Sequence, residues 1–253
     1  AGTSPQIIGN VIHDNHVNGD GGAVYCRSGG APVFRDNVIH GNTTEWYAGG
    51  AFYCKDVTLT LENNIISQND GNTSGGAMFM RNCTATLIGN TINFNVTGDD
   101  GGGIKAENCD LTLIDNEISH NVADDLGGAI DAGGTTLVMT GNVIVGNVCN
   151  SRGGGVNAQG YETAEFTGNT FIDNDASGIG GGLRCYAVTN VSVIDNTFSG
   201  NISFGHGGGL DVTEATDLLI RGNTFTENVS LSEGGGVNIE GQGVALIVEN
   251  EFT

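Results

Sequence analysis

Apolar and polar residues alternate in short runs along the whole chain. In one stretch, Leu111 and Leu113 lie two positions apart, Ile118 follows, and Ile130 and Ala132 continue the alternation after a glycine pair. Alternation with a period of two predicts β-strands whose side chains point alternately to two sides. Because Asn and Gly interrupt the runs, we predict three short strands separated by turns in each stretch.

This stretch recurs at an interval of 26 or 27 residues. Each repeat contains an Asn, then Ile or Phe two positions later, then a second Asn, and a glycine pair follows six or seven residues after that. The first Asn of the successive repeats is Asn10, Asn37, Asn64, Asn90, Asn116, Asn142, Asn169, Asn196, Asn223 and Asn250. A constant period over the whole length indicates a solenoid, and nothing in the composition marks a boundary within it. We therefore predict one domain, residues 1–253, open or uncapped at both ends.

Superposing the repeats places apolar residues in three columns, which we expect to form the core. One column begins at Ile12 and ends at Phe252, one begins at Ile7 and ends at Ile247, and one begins at Val24 and ends at Val237. The unbroken Asn column is best explained as an internal ladder, in which each side-chain amide donates to the Asn of the next coil. The predicted fold is all-β: a single-stranded, right-handed parallel β-helix of nine to ten coils with three short strands per coil.

Composition narrows the functional classes. The chain has 29 acidic and 8 basic residues and a formal net charge of −21, which argues against nucleic-acid binding. No run of 18 apolar residues occurs, so the sequence predicts no membrane span. Glycine is frequent, with 44 residues, and just over half of these lie in the pairs and the position after them, where a turn can use positive φ or a tight corner.

The repeats resemble those of a known group of surface proteins. The spacing from Phe34 to Asn37, the spacing from Phe166 to Asn169 and the segment from Gly127 to Ile130 are similar to the F-x-x-N and G-G-A-[ILV] motifs of chlamydial polymorphic membrane proteins. They look equally like the secreted bacterial and archaeal β-helix proteins that carry N-x-I-x-x-N and G-G-G-[IVL]. The resemblance covers essentially the whole chain, and it implies an extracellular or cell-surface rod that is adhesive or structural.

Four aspartates suggest a cation site. Asp99 and Asp125 share one position in consecutive repeats, and Asp100 and Asp124 flank them. Carboxylates at such a short separation either raise one another's pKa or bind a hard cation, and Ca²⁺ is the natural choice of cation. The alternative is a pair of solvated turns whose carboxylates point apart.

Aromatic residues suggest a ligand platform. Tyr25, Tyr53 and Phe79 occupy one outward column in three consecutive repeats. Stacked rings on the surface suit a sugar or a protein partner. The alternative is a structural ladder covered by Trp46 and Tyr47.

Cysteines and sequons suggest covalent modification. Cys83 and Cys109 share one position in consecutive repeats, as do Cys26 and Cys54, so both pairs could form disulfides. The alternative is small buried thiols that fill the core. Among the sequons, Asn72 has the most loop-like surroundings and is the preferred glycosylation candidate.

The sequence favours a non-enzymatic extracellular rod, without excluding an enzyme. The rod would bind a host or cell-surface glycan or protein, and its open ends would allow subunits to stack head to tail into a filament. The alternative is a polysaccharide lyase or hydrolase, or a sugar-binding module. For that class, His206 between two glycines is one short polygalacturonase-like match, but no Arg-x-Lys accompanies it.

Overall fold

Four parallel β-sheets run along the length of the molecule. The structure is a computed structural model that describes residues 3–241 and 243–253. Each coil contributes one strand to each sheet, except that the last coil adds a strand to only two of them, and every strand pairs with its equivalent one coil away, in parallel. The predicted β-helix and its Asn ladder are therefore confirmed.

Sheets 1 and 2 meet at the first Asn of each repeat. The ten strands of sheet 1 are Gln6–Ile8, Val33–Arg35, Thr58–Glu62, Thr84–Ile88, Asp110–Ile114, Thr136–Thr140, Thr163–Thr167, Asn190–Ile194, Asp217–Arg221 and Val244–Val248. The ten strands of sheet 2 are Val11–His13, Val38–His40, Ile65–Ser67, Thr91–Asn93, Glu117–Ser119, Val143–Val145, Thr170–Ile172, Thr197–Ser199, Thr224–Thr226 and Glu251–Phe252.

Sheets 3 and 4 complete the coil. The nine strands of sheet 3 are His16–Val17, Thr43–Thr44, Asp70–Gly71, Val96–Thr97, Val122–Ala123, Val148–Cys149, Asp175–Ala176, Ile202–Ser203 and Val229–Ser230. The nine strands of sheet 4 are Val24–Arg27, Phe52–Lys55, Met78–Arg81, Ile104–Glu107, Ile130–Gly133, Val156–Gln159, Leu183–Tyr186, Leu210–Thr213 and Val237–Glu240. Sheet 3 is an addition to the three predicted strands, because strands of two residues are too short to show a period.

The Asn columns hold the two corners on either side of sheet 2. The side-chain nitrogen of Asn116 donates to Oδ1 of Asn142 at 2.9 Å and to the carbonyl of Leu87 at 2.9 Å, and its backbone N–H donates to the same Oδ1 at 3.0 Å. The second Asn of each repeat forms an equivalent ladder, as between Asn95 and Asn121. Since the residue before each Asn turns the chain with positive φ, the amides satisfy corner backbone that would otherwise be buried without partners.

The glycine pair forms the corner before sheet 4. The first glycine has positive φ, which is +62° at Gly127. A Cβ on the second glycine, Gly128, would lie 2.2 Å from the carbonyl oxygen of Gly154 in the next coil. The pair is therefore needed both for the turn and for the close approach of neighbouring coils.

The three apolar columns form one continuous core. Ile118, Leu113 and Ile130 represent the columns in the central coils, and all three are buried. In the last coil, Ile247 and Phe252 are exposed. The described part of the chain contains no helix long and apolar enough to cross a membrane.

Candidate functional site

The outward column of sheet 4 carries the main concentration of buried charge. It includes Lys105, Asp131, Asn157, Arg184 and Asp211, all of them buried although they point away from the core. The glycine corner folds back over this column: a Cβ on Gly180 would lie 2.7 Å from Cβ of Arg184. The position in the strand therefore predicts an exposed side chain, whereas the corner covers it.

These side chains form a ladder that links consecutive coils. Asp131 accepts hydrogen bonds from Lys105 and, at 2.5 Å, from Asn157. Arg184 donates to Oδ1 of Asn157 at 2.9 Å, and its Nε lies 3.8 Å from Asp211. Sequence analysis did not predict this network. The succession Lys, Asp, Asn, Arg, Asp in one column is the sequence feature that could have indicated it.

Lys105 lies at the first end of this ladder and contacts two carboxylates. Its Nζ is 2.7 Å from Oδ2 of Asp100 and forms a second ion pair with Asp131. Burial lowers the pKa of Lys105, but Asp131 and Asp100 outweigh burial, so the net pKa is raised. At neutral pH, Lys105 is therefore a fixed cation and not a proton acceptor.

Three of the four aspartates proposed for calcium come together. One carboxylate oxygen from each of Asp99, Asp100 and Asp125 lies within 4.8 Å of the other two. The pKa of Asp99 is raised by burial and then by its neighbours Asp100 and Asp125. The fourth aspartate, Asp124, is exposed and lies 3.5 Å from Nδ2 of Asn150, apart from this cluster. Hard oxygen ligands fit Ca²⁺, so calcium binding stays a prediction for Asp99, Asp100 and Asp125.

A recess lies beside Lys105 on the outer face of sheet 4. The neighbouring outward column runs through Arg81, Glu107, Gly133 and Gln159, and an open recess of about 540 Å³ lies around Gly133, which carries no side chain. We call it the Gly133 recess. Its lining is polar and includes Lys105, Glu107, Asn108, Asp131, Thr135 and Gln159.

The charged groups of the Gly133 recess are already paired. Glu107 binds Arg81 at 2.6 Å, and Lys105 and Asp131 bind each other. The recess therefore has no strong net charge, and it offers hydroxyl, amide and backbone groups to a ligand. Such a lining suits a neutral ligand that is rich in hydroxyl groups.

The aromatic column stacks as the spacing predicts, but its ring faces are mostly covered. Tyr25 and Tyr53 stack with ring centroids 5.1 Å apart, and Tyr53 and Phe79 with centroids 5.2 Å apart. The free face of Phe79 is occupied by the guanidinium of Arg81, 5.2 Å from the ring centroid. Tyr53 and Phe79 are buried, whereas Tyr25 is exposed. Ligand stacking stays a prediction, and of the three rings only that of Tyr25 is exposed.

The cysteines are thiols in this structure. Cys26 pairs in register with Cys54, and the backbone N–H of Cys83 donates to Sγ of Cys109 at 3.3 Å. Both predicted pairs are therefore neighbours in space.

The glycosylation candidate Asn72 is exposed, and its side chain donates to the carbonyl of Glu45. The sequon residues Asn42, Asn95 and Asn201 are buried in the second Asn ladder, where a glycan would break the ladder.

The histidine that matched an enzyme motif lies elsewhere. Nδ1 of His206 is 2.7 Å from Glu233, near the far end of the buried ladder. The aspartates that contact Lys105 belong to different coils, several strands away. His206 therefore does not join the acidic cluster to form a catalytic site.

Comparison with known proteins supports the fold. A family model described as "Right handed beta helix region" matches residues 75–252, which is more than half of the chain. Neither the search of curated proteins nor the search of solved structures returned a significant match.

Proposed function

The chain belongs to the right-handed β-helix family, and from this premise we propose that it is a non-enzymatic, extracellular adhesive or structural rod. The fold is compatible with such rods and with carbohydrate-active enzymes. We further propose that the rod binds a cell-surface glycan in the Gly133 recess. That the repeats of this chain are specifically of the chlamydial polymorphic membrane protein type is part of this proposal.

The paired state of Lys105 is the observation that carries the non-enzymatic proposal. A polysaccharide lyase needs a proton acceptor beside the sugar, and a hydrolase needs an acid and a base that are free to exchange protons. Lys105 contacts Asp100 and Asp131, and its raised pKa keeps it protonated at neutral pH. Such a network is suited to holding a ligand and poorly suited to moving a proton.

Binding of the purified protein to a panel of neutral and acidic glycans tests this proposal. We expect binding to fall at least tenfold in a Thr135→Ala/Gln159→Ala variant, because both side chains line the Gly133 recess. Thr189→Ala is the matched control, since Thr189 occupies the position of Thr135 two coils further on. Equal loss in the control, or attachment to cells through a protein with no glycan bound, would contradict the proposal.

A carbohydrate-active enzyme is the second candidate, and the same recess favours it. Glu107 and Asp131 place two carboxylates beside Lys105 in one cavity. Incubation with polysaccharides would then produce new reducing ends or unsaturated sugars. The rod proposal expects neither product above the level of a heat-denatured sample.

Head-to-tail association stays a prediction as well. Light scattering of the full-length protein over a range of concentrations tests it. A mass that stays monomeric at high concentration would contradict filament formation.

A further inference from the structure

Two buried thiols meet at the corner that follows sheet 4. Cys83 and Cys109 lie one residue before the paired positions Thr84 and Asp110 of sheet 1, so they occupy the same place in consecutive coils. The backbone N–H of Cys83 donates to Sγ of Cys109 at 3.3 Å. The thiols also contact the strand that precedes each of them: Cys83 donates to the carbonyl of Arg81 at 3.4 Å, and Cys109 to that of Glu107 at 3.3 Å.

The stacking fits the geometry of a disulfide. Neighbouring parallel strands lie about 4.8 Å apart, which falls within the Cα separation of about 4.4–6.8 Å found for disulfides. Both side chains leave the backbone on the same side of the corner, because both are buried in the core. A bond between the two sulfurs therefore needs side-chain rotation and a local approach of the two coils, because disulfides have a Cβ–Cβ separation of about 3.5–4.5 Å.

Two other cysteines provide an internal comparison. Cys149 stacks between Ala123 and Ala176, and Cys185 stacks between Ala158 and Val212. Neither has a thiol at the equivalent position of a neighbouring coil. Burial alone therefore does not explain the pairing of Cys83 with Cys109.

The proximity of the two thiols also prepares one of them for reaction. It lowers the pKa of Cys83 to about 7 and raises that of Cys109. Of the two thiols, Cys83 therefore loses its proton more readily, and the thiolate is the nucleophile in disulfide exchange.

We propose that Cys83 and Cys109 form a disulfide that fastens two consecutive coils together. The Cys83 thiolate attacks a low-molecular-weight disulfide and releases one thiolate. Cys109 then loses its proton and attacks the sulfur of Cys83, which releases the second thiolate, and the two protein protons end on the two released thiols. The protein pair loses two electrons and the small disulfide gains them. The disulfide needs oxidising surroundings, and this is the one respect in which it rests on the proposed extracellular location.

Peptide mapping after equilibration in a glutathione redox buffer tests the proposal. The full chain is oxidised at neutral pH, remaining thiols are alkylated in denaturant, and the digest is analysed by mass spectrometry without reduction. We expect a linked peptide pair that contains Cys83 and Cys109, and alkylated Cys149 and Cys185. Alkylation of both Cys83 and Cys109, or linkage of either to another cysteine, would overturn the proposal.

Thermal unfolding supplies the second measurement. Oxidation should raise the unfolding midpoint of the wild type and of Cys149→Ala by about 5–10 °C, since the bond closes one coil. Because Cys26 and Cys54 form a second in-register pair, the comparison is made in a Cys26→Ala background, in which adding Cys83→Ala should abolish the rise. A rise of equal size in Cys26→Ala/Cys83→Ala would contradict the proposal. If Cys83→Ala does not fold, the peptide map of the wild type decides alone. The redox buffer is defined, so the result does not depend on the location or the ligand of the rod.

Discussion

At the scale of single residues, the buried amides carry much of the fold's specificity. Every ladder Asn in the central coils bonds to the coil before it and the coil after it. Asn142, for example, donates to the carbonyl of Leu113 and to Oδ1 of Asn169, and accepts from the side chain of Asn116. An apolar residue of similar size could fill the volume but would leave corner backbone without partners.

We expect Asn142→Ala to lower the free energy of unfolding by roughly 3–5 kcal/mol, because several buried groups lose their hydrogen-bond partners. Asn10→Ala is the matched control, since Asn10 belongs to the same ladder but is exposed in the first coil. Its cost should stay below about 1 kcal/mol. Chemical denaturation of both variants measures the difference, and equal costs would show that the ladder does not depend on burial.

The outward row of sheet 3 predicts a dependence of stability on pH. Asp175 lies between Val148 and Ile202 in neighbouring coils, and burial raises the pKa of its carboxyl group. The folded chain therefore holds this proton more tightly than the unfolded chain does. The resulting stabilisation is complete below the unfolded pKa of about 4 and is lost as the pH rises through the folded pKa.

Between about pH 4 and pH 7, the unfolding midpoint of Asp175→Asn should therefore decrease less with rising pH than that of the wild type. Asp217→Asn is the control, because Asp217 is exposed at the start of a strand of sheet 1. Thermal scans over this pH range measure the slope for each variant. Identical slopes in the wild type and Asp175→Asn would contradict this explanation.

At the scale of elements, glycines serve different purposes at two corners, the glycine pair before sheet 4 and the corner between sheets 1 and 2, and one variant at each corner separates them. At Gly128, space prevents replacement by a larger residue, because a Cβ would meet the carbonyl oxygen of Gly154. At Gly168, the backbone conformation restricts replacement, because φ is +64°, although a Cβ would meet nothing within 4 Å. Asn63 already occupies the position of Gly168 in another coil, with φ of +52°.

We expect Gly128→Ala to cost roughly 3 kcal/mol, since the coils must separate locally to admit the methyl group. Gly168→Asn should change stability by less than about 1 kcal/mol, because Asn tolerates the left-handed region. Urea titration of the two variants provides the measurement. A tolerated Gly128→Ala would mean that coil spacing is not set by this corner.

The elements also show what the sequence could and could not predict. The columns of Ile118, Leu113 and Ile130 are visible because each recurs at a fixed period, and the ladder of Asn116 is visible for the same reason. The two-residue strands of sheet 3 lack a period of their own. The burial of Lys105 depends on a glycine corner that folds back over the strand, and the Gly133 recess depends on the side chains of neighbouring coils. Such features arise from tertiary packing and have no local signature.

At the scale of the whole molecule, the excess of acidic residues is only partly a surface property. The net charge is −21, yet Asp131 and Asp211 are buried within the ladder of sheet 4. The cluster of Asp99, Asp100 and Asp125 concentrates further negative charge beside Lys105. Repulsion among these groups is expected to lower stability unless a cation compensates.

Millimolar Ca²⁺ should therefore raise the unfolding midpoint by several degrees, since binding to the folded state alone stabilises it. Asp99→Asn/Asp125→Asn should abolish the rise, whereas Asp124→Asn should retain it because Asp124 lies outside the cluster. Differential scanning calorimetry with Ca²⁺, and with Mg²⁺ at equal ionic strength, distinguishes binding from screening. The absence of any Ca²⁺-specific shift in the wild type would exclude the site.

Hydrogen exchange with and without a bound glycan tests the central proposal most directly. Binding in the Gly133 recess predicts slower exchange at residues 105–108, 133–135 and 159–160, which line it, and a glycan recovered intact after the experiment. Slower exchange confined to other coils, or recovery of a cleaved glycan, would contradict a non-enzymatic rod that binds through this recess.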